Sequence, residues 1–165
     1  MKRIAPFLAL AIAIALSGNA SASTEGPAPS CPVSALDQSR TLDISRLKGK
    51  AAYVDFWASW CGPCAASFPF MNELDKELKG QGLEIVAVNL DEEPEDAKDF
   101  LKKYPAHFTV ASDPEGKCPA LFDVKAMPTS FLIDRHGNIR HVHMGFRDSD
   151  KAEIRKQIHA LLSER

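Results

Sequence analysis

The sequence predicts an α/β domain in which a central mixed sheet is flanked by helices. Apolar runs of strand length alternate with helix-like segments, which favours parallel strands at the centre of the sheet. Two strand-like runs near the carboxyl end flank a turn at 135–138, which predicts an antiparallel hairpin at one edge. The length of 165 residues fits one domain of this class with an extension.

Residues 1–22 predict a signal peptide. Lys2 and Arg3 precede the apolar run 4–16, and a small-residue cleavage site ends at Ala22. We therefore expect a mature chain exported to the periplasm, where disulfides persist. A signal retained as a membrane anchor is the alternative.

The charge balance argues against two classes of partner. The chain has 20 basic and 22 acidic residues, and loss of the signal would leave 143 residues with a formal net charge of −4. Because acids and bases are interspersed, we expect neither nucleic acid nor an anionic membrane surface as a partner. Residues 23–40 are rich in Ser, Pro and Ala and predict a flexible lead-in, so the folded domain is expected over 41–165.

The domain then alternates strands and helices. Residues 33–43 favour one or two short strands, and the aromatic-rich apolar run 51–57 predicts the first central strand. The later segments are a helix over 63–79, a nearly continuous apolar strand over 83–90, a helix over 95–104, a strand over 108–111, a short helix over 117–124, hairpin strands over 130–133 and 139–144, and a last helix over 149–163.

Two cysteines stand where the first central strand gives way to a helix. Cys61-Gly62-Pro63-Cys64 places both sulfurs in a first helical turn, where unpaired N–H groups and the helix dipole lower a thiol pKa. Cys61 is expected to attack a disulfide, and Cys64, one turn inside, to resolve the mixed disulfide. Pro63 suits a first turn, and Gly62 lets a partner chain approach. A zinc half-site or a structural disulfide is the alternative, although the chain has no second Cys-x-x-Cys pair.

The stretch from Tyr53 to Cys64 resembles the active site of the thioredoxin superfamily, in Val-Asp-Phe-Trp-Ala and in Trp-Cys-Gly-Pro-Cys. The insertion from about Asp91 to Val124, the export signal and Gly-Asn-Ile before the last strand are similar to the TlpA/ResA family of exported thiol-disulfide oxidoreductases. The resemblance extends from about Thr41 to Leu162. It implies a thioredoxin fold with a central insertion and an N-terminal extension.

The resemblance implies catalytic roles for two acids. In thioredoxins the acid matching Asp55 lies beneath the second cysteine and takes part in its deprotonation, and many TlpA/ResA proteins lack it. The alternative for Asp55 is a solvated acid at a strand end. Glu92 stands where some cytochrome-maturation members have an active-site glutamate, whereas its acidic neighbours favour a solvated helix start.

The resemblance also implies a surface for the substrate. Met127-Pro128 is similar to a cis-proline loop that lies against the cysteines and offers backbone groups to a substrate strand. The alternative is a trans proline at a strand edge. Trp60, together with Gly62 and Pro63, is expected to complete this surface.

Two cysteines and a histidine pair lie outside the motif. In an exported chain Cys31 and Cys118 are expected to form a structural disulfide, and free thiols or a second redox pair are the alternatives. His141, His143 and Met144 could form a soft-metal set. Because histidines that alternate on one strand face are usually surface residues, we expect no metal site.

Together these observations predict an exported enzyme that reduces protein disulfides. The redox-active Cys61–Cys64 pair would be its redox group, without a bound cofactor. The resemblance implies disulfide-bearing exported proteins as substrates, such as apocytochrome c or copper-site assembly proteins, and a membrane thiol-disulfide electron donor. We expect a monomer. A copper-binding module and a disulfide-forming oxidant are the alternatives.

Overall fold

The computed structural model describes residues 25–164, so the predicted signal peptide lies outside the described residues. Within this range eight strands form one sheet, and four α-helices cover it. The strands are β1 Gly26–Pro27, β2 Pro32–Ala35, β3 Thr41–Asp43, β4 Ala51–Trp57, β5 Leu83–Asn89, β6 Thr109–Ser112, β7 Thr129–Ile133 and β8 Asn138–Met144. The helices are α1 Gly62–Leu78, α2 Pro94–Lys103, α3 Lys117–Leu121 and α4 Lys151–Ser163.

The sheet combines a parallel centre with antiparallel edges. Its strand order is β1-β8-β7-β4-β5-β6-β2-β3. β4, β5 and β6 are parallel neighbours, and β7 and β8 form the closing antiparallel hairpin on the other side of β4. The elements α2, β6 and α3 form the predicted insertion between β5 and the hairpin. The fold class is therefore confirmed as a thioredoxin fold with a central insertion.

Each face of the sheet has its own apolar core, and β4 contributes to both. All seven residues of β4 are buried, and their side chains alternate between the faces. One core joins β4 to α1, α2 and α4, and Trp57 packs there against Phe68 and Phe100 with ring centroids 4.9 and 4.7 Å away. The other core joins β4 to α3 and the N-terminal segment. No helix within residues 25–164 is long and apolar enough to cross a membrane.

The flexible lead-in predicted over 23–40 is wrong for the part that the structure describes, whereas the short strands predicted over 33–43 are confirmed by β2 and β3. Residues 25–40 contribute β1 and β2 to the sheet, and β2 pairs with both β3 and β6. Val33 and Ala35 are buried while their strand neighbours are exposed, which is the alternation of a strand with one covered face. The structure also has Cys31 bonded to Cys118 of α3. The composition of this segment did not indicate β1, because its partner β8 lies far along the chain.

Removal of the Cys31–Cys118 bond is expected to destabilise the domain. Both cysteines are almost fully buried in the α3-side core, and the bond closes a sequence separation of 87 residues. Because such a bond restricts the unfolded chain, Cys31→Ala combined with Cys118→Ala should lower the free energy of unfolding by about 2–5 kcal/mol. Urea unfolding measures this change. The matched control replaces Cys61 and Cys64 by Ser, since their separation of 3 residues closes a much smaller loop.

The same bond is expected to persist when Cys61 and Cys64 are reduced, because its burial keeps thiol reagents away. Alkylation and peptide mapping after mild reduction test this. Recovery of Cys31 and Cys118 as free thiols under those conditions would contradict a structural role.

Candidate active site

Cys61 caps the N-terminus of α1. Its backbone is extended, with φ −86° and ψ 104°, and its Sγ accepts a hydrogen bond from the N–H of Cys64 at 3.3 Å. Cys61 and Cys64 are bonded to each other, so the structure represents the oxidised form. In the reduced form the same N–H and the positive end of the helix dipole would stabilise a thiolate on Cys61. Pro63 lies in the first turn, as its missing N–H permits.

The two cysteines differ in access to solvent. Cys61 is 5% exposed and Cys64 is 0% exposed. Gly62 and Pro63 are exposed beside them, and Trp60 is 73% exposed. Cys61, which also borders a surface groove, is therefore the more accessible of the two cysteines, and Trp60 offers an apolar surface next to it.

Asp55 is fully buried near the end of β4. Strand alternation puts its side chain on the same face as Tyr53 and Trp57, where Cys64 is also buried. The Oγ of Ser130 donates a hydrogen bond to Asp55 Oδ1 at 2.6 Å, whereas Oδ2 is buried without a partner. Burial raises the pKa of Asp55 to about 7, and the Ser130 hydrogen bond opposes this rise. Asp55 is therefore not the solvated strand-end acid of the alternative interpretation.

The buried acid after β5 is Asp91 rather than Glu92. Glu92 is exposed and makes no hydrogen bond or ion pair with any residue in the range 25–164, so its catalytic role stays a prediction. Asp91 is 4% exposed and accepts hydrogen bonds from the N–H and Oγ of Ser59 and from Asn89 Nδ2, the last at 2.7 Å. These contacts fasten the end of β5 to the loop that leads into Cys61.

Asp91 is hard to single out from the sequence because it stands in a run of acidic residues, and such a run is typical of a solvated surface. Its position directly after a buried strand was the signal that could have separated it from its neighbours. The acid nearest the strand end turns inward to bind the adjacent loop, and the next acid faces solvent.

The peptide bond between Met127 and Pro128 is cis in the structure. Met127 is half-buried and packs against the core that contains Cys61 and Cys64. The N–H of Gly145 donates to the carbonyl of Pro128 at 2.7 Å, which fixes one side of this loop. Among residues 25–164, the backbone N–H and carbonyl of Met127 have no hydrogen-bond partner, so they can pair with an incoming strand.

A groove of about 420 Å³ lies between the active-site loop and α2. Cys61 borders it, with Trp60 and Tyr104 as aromatic side chains and Asp96 and Lys103 as charged ones. A polypeptide segment that approaches Cys61 from this side would meet both apolar and charged groups.

The two histidines of β8 do not join the cysteines. His143 Nε2 lies 2.7 Å from Gln157 Oε1 of α4. Partial burial, followed by the nearby His143 and Arg140, lowers the pKa of His141. Among the residues that the structure describes, no three His, Cys, Asp or Glu side chains are grouped so that they could hold a metal ion.

Comparison with known proteins gives consistent matches over this site. The family described as Redoxin matches residues 23–158. Thiol-disulfide oxidoreductase ResA of a Bacillus cereus strain is 36% identical over 126 residues, which cover 76% of this chain and 72% of that protein. ResA of Bacillus subtilis (strain 168) is 39% identical over 106 residues, with 64% and 59% covered.

A similar solved structure is described as a thiol:disulfide interchange protein DsbE from Chlorobium tepidum. It is 47% identical, with a TM-score of 0.79, and the match covers 83% of this chain and 96% of that chain. The family match includes both Cys61 and Cys64.

Proposed function

The chain belongs to the Redoxin family and is a thiol-disulfide oxidoreductase, and on this premise we propose that it reduces disulfides of exported proteins through Cys61 and Cys64. The observation that supports this proposal best is the difference between the two cysteines. Cys61 caps α1 with 5% of its surface exposed and borders the groove beside α2, whereas Cys64 is fully buried. One sulfur can meet the substrate while the other stays protected from side reactions.

The reaction follows from this arrangement. The Cys61 thiolate attacks one sulfur of the substrate disulfide, so a Cys61–substrate bond forms and the other substrate sulfur leaves as a thiolate. Asp55 accepts the Cys64 proton, and the Cys64 thiolate attacks Cys61. The second substrate sulfur then leaves as a thiolate, and the two substrate thiolates take up one proton from Asp55 and one from solvent, which received the proton of Cys61 when its thiolate formed. The substrate gains two electrons, and Cys61 and Cys64 end as the disulfide.

The direction of electron flow depends on the reduction potential of the pair. Gly-Pro between the cysteines resembles the reducing thioredoxins, so we expect a value near their ~ −270 mV. Equilibration in dithiothreitol and glutathione redox buffers, followed by alkylation and mass spectrometry of the Cys61–Cys64 peptide, measures it. The Cys31→Ala/Cys118→Ala variant is the control for the second disulfide. A midpoint near about −120 mV would instead identify a disulfide-forming oxidant.

The proposed setting is the periplasm, with export by the signal over residues 1–22. Disulfide-bearing exported proteins would be the substrates, in cytochrome c maturation or copper-site assembly. Each turnover leaves Cys61 and Cys64 oxidised, so continued reduction requires a donor, for which a membrane thiol-disulfide protein is the proposed source. No bound cofactor is needed for the exchange, and a monomer suffices because both cysteines and Asp55 belong to one chain.

A further inference from the structure

A chain of three buried side chains ends at Asp55. The hydroxyl oxygens of Tyr53 and Ser130 are 2.8 Å apart, and Ser130 Oγ is 2.6 Å from Asp55 Oδ1. All three residues are buried. Ser130 is the register partner of Asp55 on β7, and Ala87 is its partner on β5. Ser130 is therefore the neighbour across the sheet that can hydrogen-bond to this carboxylate.

The directions of these hydrogen bonds follow from the number of protons. A carboxylate only accepts hydrogen bonds, so Ser130 uses its single O–H to donate to Asp55. The Ser130 oxygen is then free to accept the proton of the Tyr53 phenol, whose pKa is raised by burial and by Asp55. The chain runs from Tyr53 through Ser130 to Oδ1 of Asp55, and it leaves Oδ2 without a partner.

We propose that Ser130 and Tyr53 are positioning residues that hold Asp55 by one oxygen and leave the other to accept the proton of Cys64. This inference rests on the proposed role of Asp55 in resolving the mixed disulfide. The two hydroxyls supply the stabilisation of the ionised carboxylate that a basic side chain could otherwise give. The hydrogen bond that Tyr53 donates polarises the Ser130 hydroxyl. This strengthens the hydrogen bond that Ser130 donates to the Asp55 carboxylate.

Several titratable groups surround the hydrogen-bonded side chains of Tyr53, Ser130 and Asp55. Tyr53 lies on the same strand as Asp55, Cys64 lies on α1 across the core, and His143 is the register partner of Ser130 on β8. Within residues 25–164 no basic side chain forms an ion pair with Asp55. A His143→Gln variant, which removes the imidazole opposite Ser130, is therefore the control for that ring in the pH profile.

The test follows the ionisation of Asp55 and the resolution step in the same variants. Carbon-13 NMR of the carboxyl carbon reports the Asp55 midpoint, and stopped-flow kinetics from pH 5 to 9 report resolution. Ser130→Ala removes the donor, so both midpoints should rise by roughly one pH unit. Tyr53→Phe should raise the NMR midpoint and the kinetic midpoint by less than Ser130→Ala does. Ser130→Thr keeps the hydroxyl, so both midpoints should stay at their wild-type values. The profile of His143→Gln should match that of the wild type.

Tyr53→Phe keeps the aromatic ring in place and serves as the test if Ser130→Ala fails to fold. An Asp55 midpoint that stays unchanged in these variants would overturn the proposal, and so would an NMR shift that the kinetic midpoint does not follow. If Asp55→Asn slows resolution but the hydroxyl variants leave both midpoints unchanged, only the positioning role fails. If Asp55→Asn leaves resolution unchanged, the role of Asp55 in the proposed function fails, and this inference fails with it.

Discussion

Replacement of Cys61 by Ser is expected to lower the rate of substrate disulfide reduction to the uncatalysed background. Replacement of Cys64 by Ser should instead stop the reaction at a covalent intermediate. Cys61 is the more exposed of the two cysteines and the one whose sulfur accepts an N–H hydrogen bond at the start of α1. Without it, no accessible thiolate remains to attack a substrate. Without Cys64, the mixed disulfide forms but has no internal thiol to release it.

The measurement is capture of substrates in the periplasm, the proposed compartment. Non-reducing electrophoresis and mass spectrometry should find mixed disulfides with the Cys64→Ser variant and none with the Cys61→Ser variant. The double variant controls for adducts formed through Cys31 or Cys118. Substrate capture through Cys64 in the Cys61→Ser variant would reverse the assignment of the two roles.

The elements around the motif could be predicted because their information is local. The seven apolar residues of β4, the cysteines at the start of α1 and the pattern of α2 each stand in one short stretch of sequence. The predicted and observed bounds of these elements differ by at most one residue. Hydrophobic period and helix-start signals act over a few residues, so they can be found without knowledge of the tertiary fold.

The contacts that define the site depend on the register in which distant strands pair. That register could not be predicted from the sequence. Asp55 and Ser130 are 75 residues apart in sequence, and they meet only because β4 and β7 pair in one particular alignment. The same limit concealed the β1 strand, whose partner β8 lies near the other end of the described residues. Asp91 was obscured differently, since burial of one acid within an acidic run depends on the loop that it binds.

Asp55→Asn is expected to slow resolution of the mixed disulfide by about 10²- to 10⁴-fold near neutral pH, the range for general acid–base catalysis. Burial raises the pKa of Asp55 to about 7, so at neutral pH the ionised and protonated forms coexist and the residue can accept a proton. Asn keeps the shape but cannot take the Cys64 proton. Stopped-flow reduction of a disulfide substrate from pH 5 to 9 separates the steps, and attack by Cys61 in the same traces is the internal control. Equal resolution rates at every pH would exclude Asp55 as the base.

The same substitution is expected to change the pH dependence of stability. An unfolded aspartate ionises near about pH 4, whereas the native Asp55 keeps its proton until about pH 7. Between these values the native state binds the extra proton, so the contribution of Asp55 to stability falls as pH rises through the window and is constant above it. The full loss is on the order of 4 kcal/mol.

Asp55→Asn lacks this titration, so its stability relative to the wild type should grow from about pH 4 to pH 7 and then level off. The measured gain should be smaller than the full loss, because the buried Asn amide must also find hydrogen-bond partners. Urea unfolding of the wild type and of Asp55→Asn at several pH values from 4 to 8.5 measures the difference. A difference that stays flat across this range would mean that the buried carboxyl titrates alike in the native and unfolded chains. Burial would then not make Asp55 a base poised for Cys64.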